Sequence, residues 1–116
     1  MIKIYAYKNC STCRKALKFL ERKGISHKTI PIREQPPAKV ELEKMLSLYG
    51  GNMRKLFNTS GQDYKKANLK ETLPGLSKNQ ALDLLAKNGN LVKRPFVLTA
   101  KGGCVGFDES RWAQLF

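Results

Sequence analysis

The fold of this chain is decided by residues 2–20, which run IKIYAYKNCSTCRKALKFL. Ile2, Ile4 and Ala6 alternate with more polar residues, and this period of two predicts a short strand. A turn at 8–13 follows, and apolar residues then recur at helical spacing up to a stop at Gly24. The apolar face of this helix consists of Cys13, Ala16, Leu17 and Leu20.

Residues 25–32 predict a second strand, which completes a β-α-β unit. Pro31 lacks a backbone N–H, so it places this strand at an edge of the sheet or stands at the end of the strand. Residues 34–89 then predict a block of helices. The first helix runs from about Pro37 to the two glycines at 50–51, and shorter helical turns follow it.

Two capping patterns lie inside this block. Asn52 precedes a short apolar segment that it is expected to cap, and Ser77 with Gln80 forms a capping box before a helix that ends at 88–89. Beyond the block, residues 96–99 and 104–107 predict a hairpin with its turn at 101–103. Asp108 is expected to cap a last helix whose apolar face carries Trp112, Leu115 and Phe116.

The order β-α-β, helical block, β-β-α is typical of an α/β protein in which helices pack on a mixed sheet of four strands. With 116 residues, the chain is expected to form a single domain, 1–116, whose core needs no disulfide. The first seven residues resemble neither a signal peptide nor a membrane span. These features predict a cytoplasmic protein that does not bind membranes.

The composition is strongly basic, with 22 lysines and arginines against 9 acidic residues and a formal charge of +13. Such a charge favours polyanionic partners. The basic residues are spread evenly from Lys3 to Arg111, however, so a solvated basic surface is favoured over a dedicated nucleic-acid site. No sequence-specific binding of DNA is expected.

Residues Cys10 and Cys13 form a Cys-x-x-Cys motif at the start of the first helix. The unpaired N–H groups of a first helical turn and the helix dipole stabilise an anion, and Lys8, Arg14 and Lys15 add positive charge. Cys10 is therefore the candidate nucleophile, since a thiol reacts as its thiolate. The same helix start, at Ser11, Thr12 and Arg14, is a candidate binding site for an oxyanion.

Cys13 follows one helical turn later on the same side, where its sulfur is able to attack a mixed disulfide formed on Cys10. The alternative is that both cysteines are small apolar residues of the core. A zinc site is not expected: zinc needs four ligands, and Cys104 and His27, which would have to complete the set, do not come with the paired spacing of such sites. Neither a metal nor a bound cofactor is predicted.

Five separated motifs together resemble the arsenate reductase (ArsC)/Spx family, and they span almost the whole chain. They are Ile4-Tyr5, residues 9–16 (NCSTCRKA), 56–59 (LFNT), 93–95 (KRP) and 105–107 (VGF). The chain is most similar to the YffB and Spx branches. This resemblance implies a thioredoxin-like fold with a helical insertion at about 34–89 and a cis peptide between Arg94 and Pro95.

The resemblance also indicates which residues take part in the chemistry. In arsenate-reducing members, a cysteine at the position of Cys10 attacks arsenate, three arginines hold the oxyanion, and glutathione and glutaredoxin complete the reduction. Of these arginines, Arg94 carries over, while Asn58 and Gly106 stand near the other two positions.

The resemblance implies three functions. The first function is a thiol-disulfide reductase that uses glutathione as a co-substrate and glutaredoxin or thioredoxin as a partner. The second is an Spx-like redox regulator that binds the C-terminal domain of the RNA polymerase α-subunit, and the third is an arsenate reductase.

Overall fold

The computed structural model describes residues 2–116, and Met1, the first residue of the predicted domain, lies outside them. The strands are β1 Ile2–Ala6, β2 His27–Pro31, β3 Phe96–Thr99 and β4 Gly102–Val105. The α-helices are α1 Ser11–Arg22, α2 Lys39–Leu48, α3 Gln62–Lys66, α4 Leu69–Thr72, α5 Lys78–Lys87 and α6 Glu109–Leu115. Short 3-10 turns occupy Met53–Leu56, Leu73–Gly75 and Gly89–Leu91.

The four strands form one mixed sheet in the order β2-β1-β3-β4. β1 is parallel to β2, with Ile4 opposite Thr29, and antiparallel to β3, with Ile4 opposite Val97. β3 and β4 are antiparallel. The predicted α/β class with a mixed four-stranded sheet is confirmed. The sequence offered two positions for Pro31, in an edge strand or at the end of its strand, and both apply. β2 is an edge strand, and Pro31 is its last residue.

The alternation in β1 separates two clusters of buried side chains. Ile4 and Ala6 belong to the cluster formed with α1 and α6, which includes Cys13 and Trp112. Tyr5 belongs to the cluster formed with the helical insertion. Burying one large apolar side chain contributes about 1.5 to 3 kcal/mol, so α1 is held firmly by its apolar face. The start of α1 lies at the rim of this packing.

The helical insertion occupies the predicted block, with α2 to α5 spanning residues 39–87. Its capping box forms as expected: Ser77 Oγ accepts from the N–H of Gln80 at 3.1 Å, and Gln80 Oε1 accepts from the N–H of Ser77 at 2.9 Å. Asn52 precedes its 3-10 turn, but its side chain makes no capping hydrogen bond, so that part of the prediction is wrong.

The hairpin turn differs from the predicted one. β4 begins at Gly102, so the turn lies at 100–101 and the glycines at 102 and 103 belong to the strand. A Cβ atom at Gly103 would overlap the carbonyl oxygen of Val97 and come within 3.1 Å of Met45 Cε. Glycine is common in turns, but here it permits the close approach of two strands and α2.

The apolar face of α6 is narrower than predicted. Trp112 is 1% exposed, whereas Leu115 is 50% exposed. Of the seven residues of α6, Trp112 is the buried one, so the expectation that Leu115 belongs to the buried face is wrong. Asp108 caps α6 as predicted, because its Oδ1 accepts from the N–H of Arg111 at 3.2 Å.

None of the helices in residues 2–116 combines the length and the apolar character needed to cross a bilayer.

Glu41 links α2 to the sheet. Its carboxylate accepts hydrogen bonds from Lys3 Nζ at 2.8 Å, from the Tyr5 hydroxyl at 2.7 Å and from the N–H of Ala38 at 3.0 Å. Burial opposes ionisation of this carboxyl, but the three donors outweigh burial and hold its pKa below the usual value.

We predict that Glu41→Gln lowers the free energy of unfolding by about 1 to 2 kcal/mol at pH 7, because hydrogen bonds to a charged group are lost. The folded protein lowers the pKa of Glu41, so this stabilisation is present above the unfolded-state pKa of about 4.3 and disappears as the pH falls through the folded-state pKa. Urea unfolding of both proteins between pH 3 and 7 measures the effect. Glu43→Gln, on the same helix, is the control and should change stability by less than about 0.5 kcal/mol. A loss for Glu41→Gln that is equal at all pH values would contradict the prediction.

Candidate active site

Cys10 stands where the chain turns from β1 into α1. It is the N-cap residue of α1, and its own N–H donates to the carbonyl of Tyr7 at 3.0 Å. Its Sγ accepts from the N–H of Cys13 at 3.4 Å, as the oxygen of an N-cap serine would. The sulfur thus lies against the positive end of a helix of 12 residues, where a negative charge is stabilised.

The pKa of the Cys10 thiol is lowered from its usual value. Partial burial opposes ionisation, but the N–H and the thiol of Cys13, the guanidinium of Arg94 and the N–H of Thr12 together outweigh it. Cys10 therefore carries more thiolate at neutral pH than it would without these contacts. Cys10 is also partly exposed. It is therefore accessible and chemically suited to act as a nucleophile.

Cys13 has the opposite environment. It is fully buried, and burial together with the neighbouring Cys10 sulfur raises the pKa of its thiol to about 12, although a backbone hydrogen bond from Tyr7 acts in the other direction. A buried thiol of this kind cannot meet a substrate from solvent. Because it contacts the Cys10 sulfur, its accessible reaction partner is Cys10 itself.

The third cysteine, Cys104, lies in β4 and is 1% exposed. Burial raises the pKa of its thiol to about 11 against the opposing charge of Arg111. Cys104 belongs to the same buried cluster as Cys13. The three thiols therefore differ sharply, and only Cys10 combines access with a lowered pKa.

Cys10 opens onto a cleft of about 530 Å³ between the start of α1, the entry to β3 and the start of α6. We call it the Cys10 cleft. Its lining is largely polar and includes three basic side chains and one acidic one. The lining residues are Cys10, Thr12, Asn58, Ser60, Lys93, Arg94, Val105, Gly106, Phe107, Asp108, Arg111 and Trp112.

Arg94 is one of the cations that line this cleft. It stands at the entry to β3, and the peptide bond that joins it to Pro95 is cis. Its guanidinium lies over the Tyr7 ring at 5.2 Å, and the guanidinium of Arg33 lies over the same ring at 4.7 Å. Cation–π contacts of this length favour a fixed position of the guanidinium. Arg94 is thus held beside the Cys10 sulfur, where its charge favours the thiolate.

The predicted site residues are brought together only in part. Thr12 and Arg94 line the Cys10 cleft, whereas Ser11 and Arg14 do not. The side chain of Arg14 instead donates to the carbonyl of Lys8 at 3.5 Å. The anion-binding role of Ser11 and Arg14 stays a prediction.

The residues considered for a metal are dispersed. His27 Nδ1 lies 2.9 Å from the carbonyl oxygen of Ile25, two residues earlier in the chain. Over residues 2–116, no three histidine, cysteine or acidic side chains come together in a group that could hold a metal ion.

Sequence reasoning missed two cations of the cleft, Lys93 and Arg111. Lys93 directly precedes Arg94 in the family motif at 93–95, and this position could have identified it as a residue of the cleft. Arg111 follows the capping Asp108 by three residues and carries no local signal for a site. Its position depends on how α6 packs, which the sequence pattern does not encode.

A mixed sheet whose central strand leads into a helix that begins with Cys-x-x-Cys defines the class of thioredoxin-like thiol proteins. Within that class the chain belongs to the ArsC family, whose model matches residues 5–115.

Individual relatives agree with this placement. The uncharacterized protein YusI of Bacillus subtilis is 44% identical over 110 residues, covering 95% of this chain and 93% of that protein. The global transcriptional regulator Spx of Listeria innocua is 28% identical over 109 residues, covering 94% and 82%. A solved structure from Bacteroides fragilis, described as related to the ArsC family, superposes with a TM-score of 0.92 at 38% identity and covers 99% of this chain and 97% of that one. The recognition of an ArsC/Spx-family protein and of a thioredoxin-like fold is confirmed.

We predict that Arg94→Gln slows alkylation of Cys10 by iodoacetamide at pH 7 by a factor of about two to five, because an exposed charge contact contributes about 0.2 to 1 kcal/mol. The loss of the guanidinium raises the pKa of Cys10, so the rate profile moves to higher pH. Thiolate absorbance at 240 nm against pH measures this directly. Arg14→Gln removes an equal charge from the same region outside the cleft and should have a smaller effect. Equal shifts for both variants would contradict a specific role of Arg94.

Proposed function

We propose that this protein is a thiol-disulfide oxidoreductase in which Cys10 is the nucleophile and Cys13 is the resolving thiol. Arg94 holds an anionic group of the substrate, such as a carboxylate of glutathione or an oxyanion. The observation that carries the proposal is the contrast within one helical turn: Cys10 is partly exposed with a lowered pKa, and Cys13 is fully buried against it with a raised one.

The reaction begins when the Cys10 thiolate attacks one sulfur of a substrate disulfide. The new bond joins Cys10 to that sulfur, and the other half of the substrate leaves as a thiolate, which takes up a proton. Cys13 then loses its proton and attacks the Cys10 sulfur, so that a Cys10–Cys13 disulfide forms and the second half leaves. The substrate gains two electrons and the protein dithiol loses them. A second dithiol or two molecules of glutathione return the protein to its reduced form.

The high pKa of Cys13 is compatible with this order of steps. Burial raises it throughout, but the Cys10 sulfur raises it only while that sulfur is a thiol or thiolate. Once Cys10 has entered a mixed disulfide, this contribution disappears and Cys13 ionises more easily. The resolving step is thus favoured only after the first step has occurred.

The partners of this reaction are those that the family resemblance implies, namely glutathione with glutaredoxin or thioredoxin. No bound cofactor is required, because the two cysteines carry the electrons. We place the reaction in the cytoplasm, where these reductants keep thiols reduced.

The test is a redox titration of the purified protein in glutathione buffers, with trapping of free thiols and mass mapping of the three cysteines. We expect a reversible Cys10–Cys13 disulfide to form near the cytosolic glutathione potential, while Cys104 stays reduced. A stable glutathione adduct on Cys10 without the internal disulfide would remove the resolving role of Cys13. That outcome would favour a single-cysteine mechanism of the arsenate-reducing type.

A second candidate function is that of an Spx-like regulator that binds the C-terminal domain of the RNA polymerase α-subunit. The similarity to Spx over 94% of the chain favours it. The resemblance to Spx implies a polymerase contact in the region of the Gly50-Gly51 turn, and a groove of about 470 Å³ lies beside these two glycines, lined by Leu46, Met53 and Leu73 among others. A pull-down with the isolated polymerase domain in both redox states tests it. Binding in only one redox state would support the regulator, and no binding would exclude it.

Arsenate reduction is the third candidate, supported by family membership and by the basic side chains of the Cys10 cleft. Arsenate-dependent oxidation of glutathione through glutaredoxin, abolished by Cys10→Ser, would support it. Its absence in an active thiol-disulfide enzyme would exclude it.

A further inference from the structure

A second concave surface adjoins the Cys10 cleft and has no part in the proposed function. This surface, which we call the basic pocket, has a volume of about 510 Å³. It is lined by Tyr49, Asn52, Arg54, Lys55, Phe57, Thr59, Lys93, Val105 and Arg111. Lys93, Val105 and Arg111 line the Cys10 cleft as well, so the two depressions share a wall.

Backbone hydrogen bonds hold one side of the basic pocket in place. The segments around Phe57 and Val92 pair as an isolated antiparallel bridge. Beside it, the N–H of Lys93 donates to the carbonyl of Leu56 at 2.7 Å, and the N–H of Asn58 donates to the carbonyl of Leu91 at 2.7 Å. This pairing places Lys93 and the 3-10 turn that carries Arg54 and Lys55 next to each other.

Side-chain contacts hold the opposite side. The hydroxyl of Tyr49, at the end of α2, accepts from the N–H of Val105 at 2.9 Å. The guanidinium of Arg111, on α6, lies over the Tyr49 ring at 5.2 Å. The pocket is therefore formed by elements that are distant in sequence but fixed to one another, as is typical of a preformed ligand site.

The charge of the basic pocket is not balanced. Its lining has four cations, Arg54, Lys55, Lys93 and Arg111, and no carboxylate. The ion pairs found within residues 2–116 are Lys3–Glu41, Arg22–Glu109 and Lys39–Asp83, and none of them involves these cations. The acid that lines the adjoining Cys10 cleft, Asp108, already accepts a hydrogen bond as the cap of α6.

The whole chain is basic, so positive charge alone does not identify a site. These four cations differ from the other basic residues in that they line one depression. Two of them, Lys93 and Arg111, also line the cleft that contains the reactive Cys10 sulfur. Concave regions lined by charges of one sign concentrate ions of the opposite sign and raise their rate of encounter. A substrate held in the basic pocket would have its other end in the Cys10 cleft.

From this arrangement we propose that the basic pocket binds the anionic part of a small disulfide substrate and makes the protein selective for disulfides that carry two or more carboxylate or phosphate groups. The proposal rests on the proposed thiol-disulfide function. Arg54 and Lys55 determine this specificity, because they line only the basic pocket. Lys93 and Arg111 line the Cys10 cleft as well.

The test compares three small disulfides of similar size in stopped-flow reactions with the reduced protein. They are dithiodipropionate, which is a dianion, hydroxyethyl disulfide, which is neutral, and cystamine, which is a dication. Rates with a free small thiol under the same conditions correct for intrinsic reactivity. We expect the corrected rate constant to be highest for the dianion, and the variant Arg54→Gln/Lys55→Gln to lower it about three- to tenfold while leaving the neutral disulfide unchanged. Raising the salt concentration should narrow the difference.

Lys65→Gln/Lys70→Gln is the matched control, because it removes two positive charges at exposed positions that line neither depression. It should leave all three rates nearly unchanged. Equal slowing of the dianion by both double variants would overturn the basic pocket as the cause, and so would a wild-type protein that reacts fast with all three disulfides without charge preference. If Cys10 reacts slowly even with the neutral disulfide, the proposed function itself fails, and this inference fails with it.

Discussion

Replacing Cys10 with serine should lower the rate of thiol alkylation at pH 7 by at least about 100-fold, which is the largest functional effect expected in this protein. The remaining thiols, Cys13 and Cys104, are buried and have pKa values raised to about 12 and about 11. At pH 7 a thiol with a pKa near 11 is only about one part in 10,000 thiolate, whereas an ordinary thiol is a few per cent thiolate. Iodoacetamide kinetics with mass mapping measure the loss.

The matched variant Cys13→Ser should behave differently. It keeps the accessible nucleophile, so fast alkylation of Cys10 persists, but the resolving thiol is gone. Mixed disulfides on Cys10 should therefore accumulate and be visible by mass spectrometry after reaction with a small disulfide. Cys104→Ser should affect neither measurement. If Cys13 is the thiol that reacts faster with iodoacetamide, the two roles assigned here are reversed.

The largest expected loss of stability follows from truncating Trp112. Its ring is 1% exposed and packs edge-on against Phe19, Phe107 and Phe116, with ring centroids 4.9 to 5.9 Å apart across this aromatic cluster. Its Nε1 also donates to the carbonyl of Gly106 at 3.3 Å. Trp112→Ala should lower the free energy of unfolding by about 3 to 5 kcal/mol, measured by urea denaturation.

Two controls separate packing from the hydrogen bond and from the helix itself. Trp112→Phe keeps an aromatic ring but loses the bond to Gly106, and should cost clearly less than the alanine variant. Leu115→Ala lies on the same helix at a half-exposed position and should change stability by less than about 0.5 kcal/mol. A loss of more than 2 kcal/mol for Leu115→Ala would contradict the placement of α6.

Trp112→Ala should also disturb the site, because Trp112 lines the Cys10 cleft and shares a buried cluster with Cys13 and Cys104. Opening this cluster exposes the two buried thiols. In the folded variant, alkylation of Cys104 should become measurable, whereas it should be absent in the wild type. Mass mapping at low denaturant concentration distinguishes this local opening from global unfolding.

Much of the architecture is predictable from short-range patterns. The period of two in β1, the helical spacing from Cys13 to Leu20 and the capping box at Ser77 each depend on residues within one or two turns of one another. The errors arise where a residue has two common uses. Gly102 and Gly103 match a turn by composition, yet β4 contains both, because Gly103 has to lie against Val97 and Met45.

The sequence by itself determined the class of fold, the family motifs and the position of Cys10 at the start of a helix, because each of these depends on neighbouring residues. Only the tertiary structure decided that Cys13 is buried against Cys10, that Arg94 lies beside the Cys10 sulfur, and that Lys93 and Arg111 line both depressions. These facts depend on contacts between segments far apart in the chain, such as the bridge between Phe57 and Val92. Burial and charge at a site are sums over all elements packed around it, and local periodicity does not contain them.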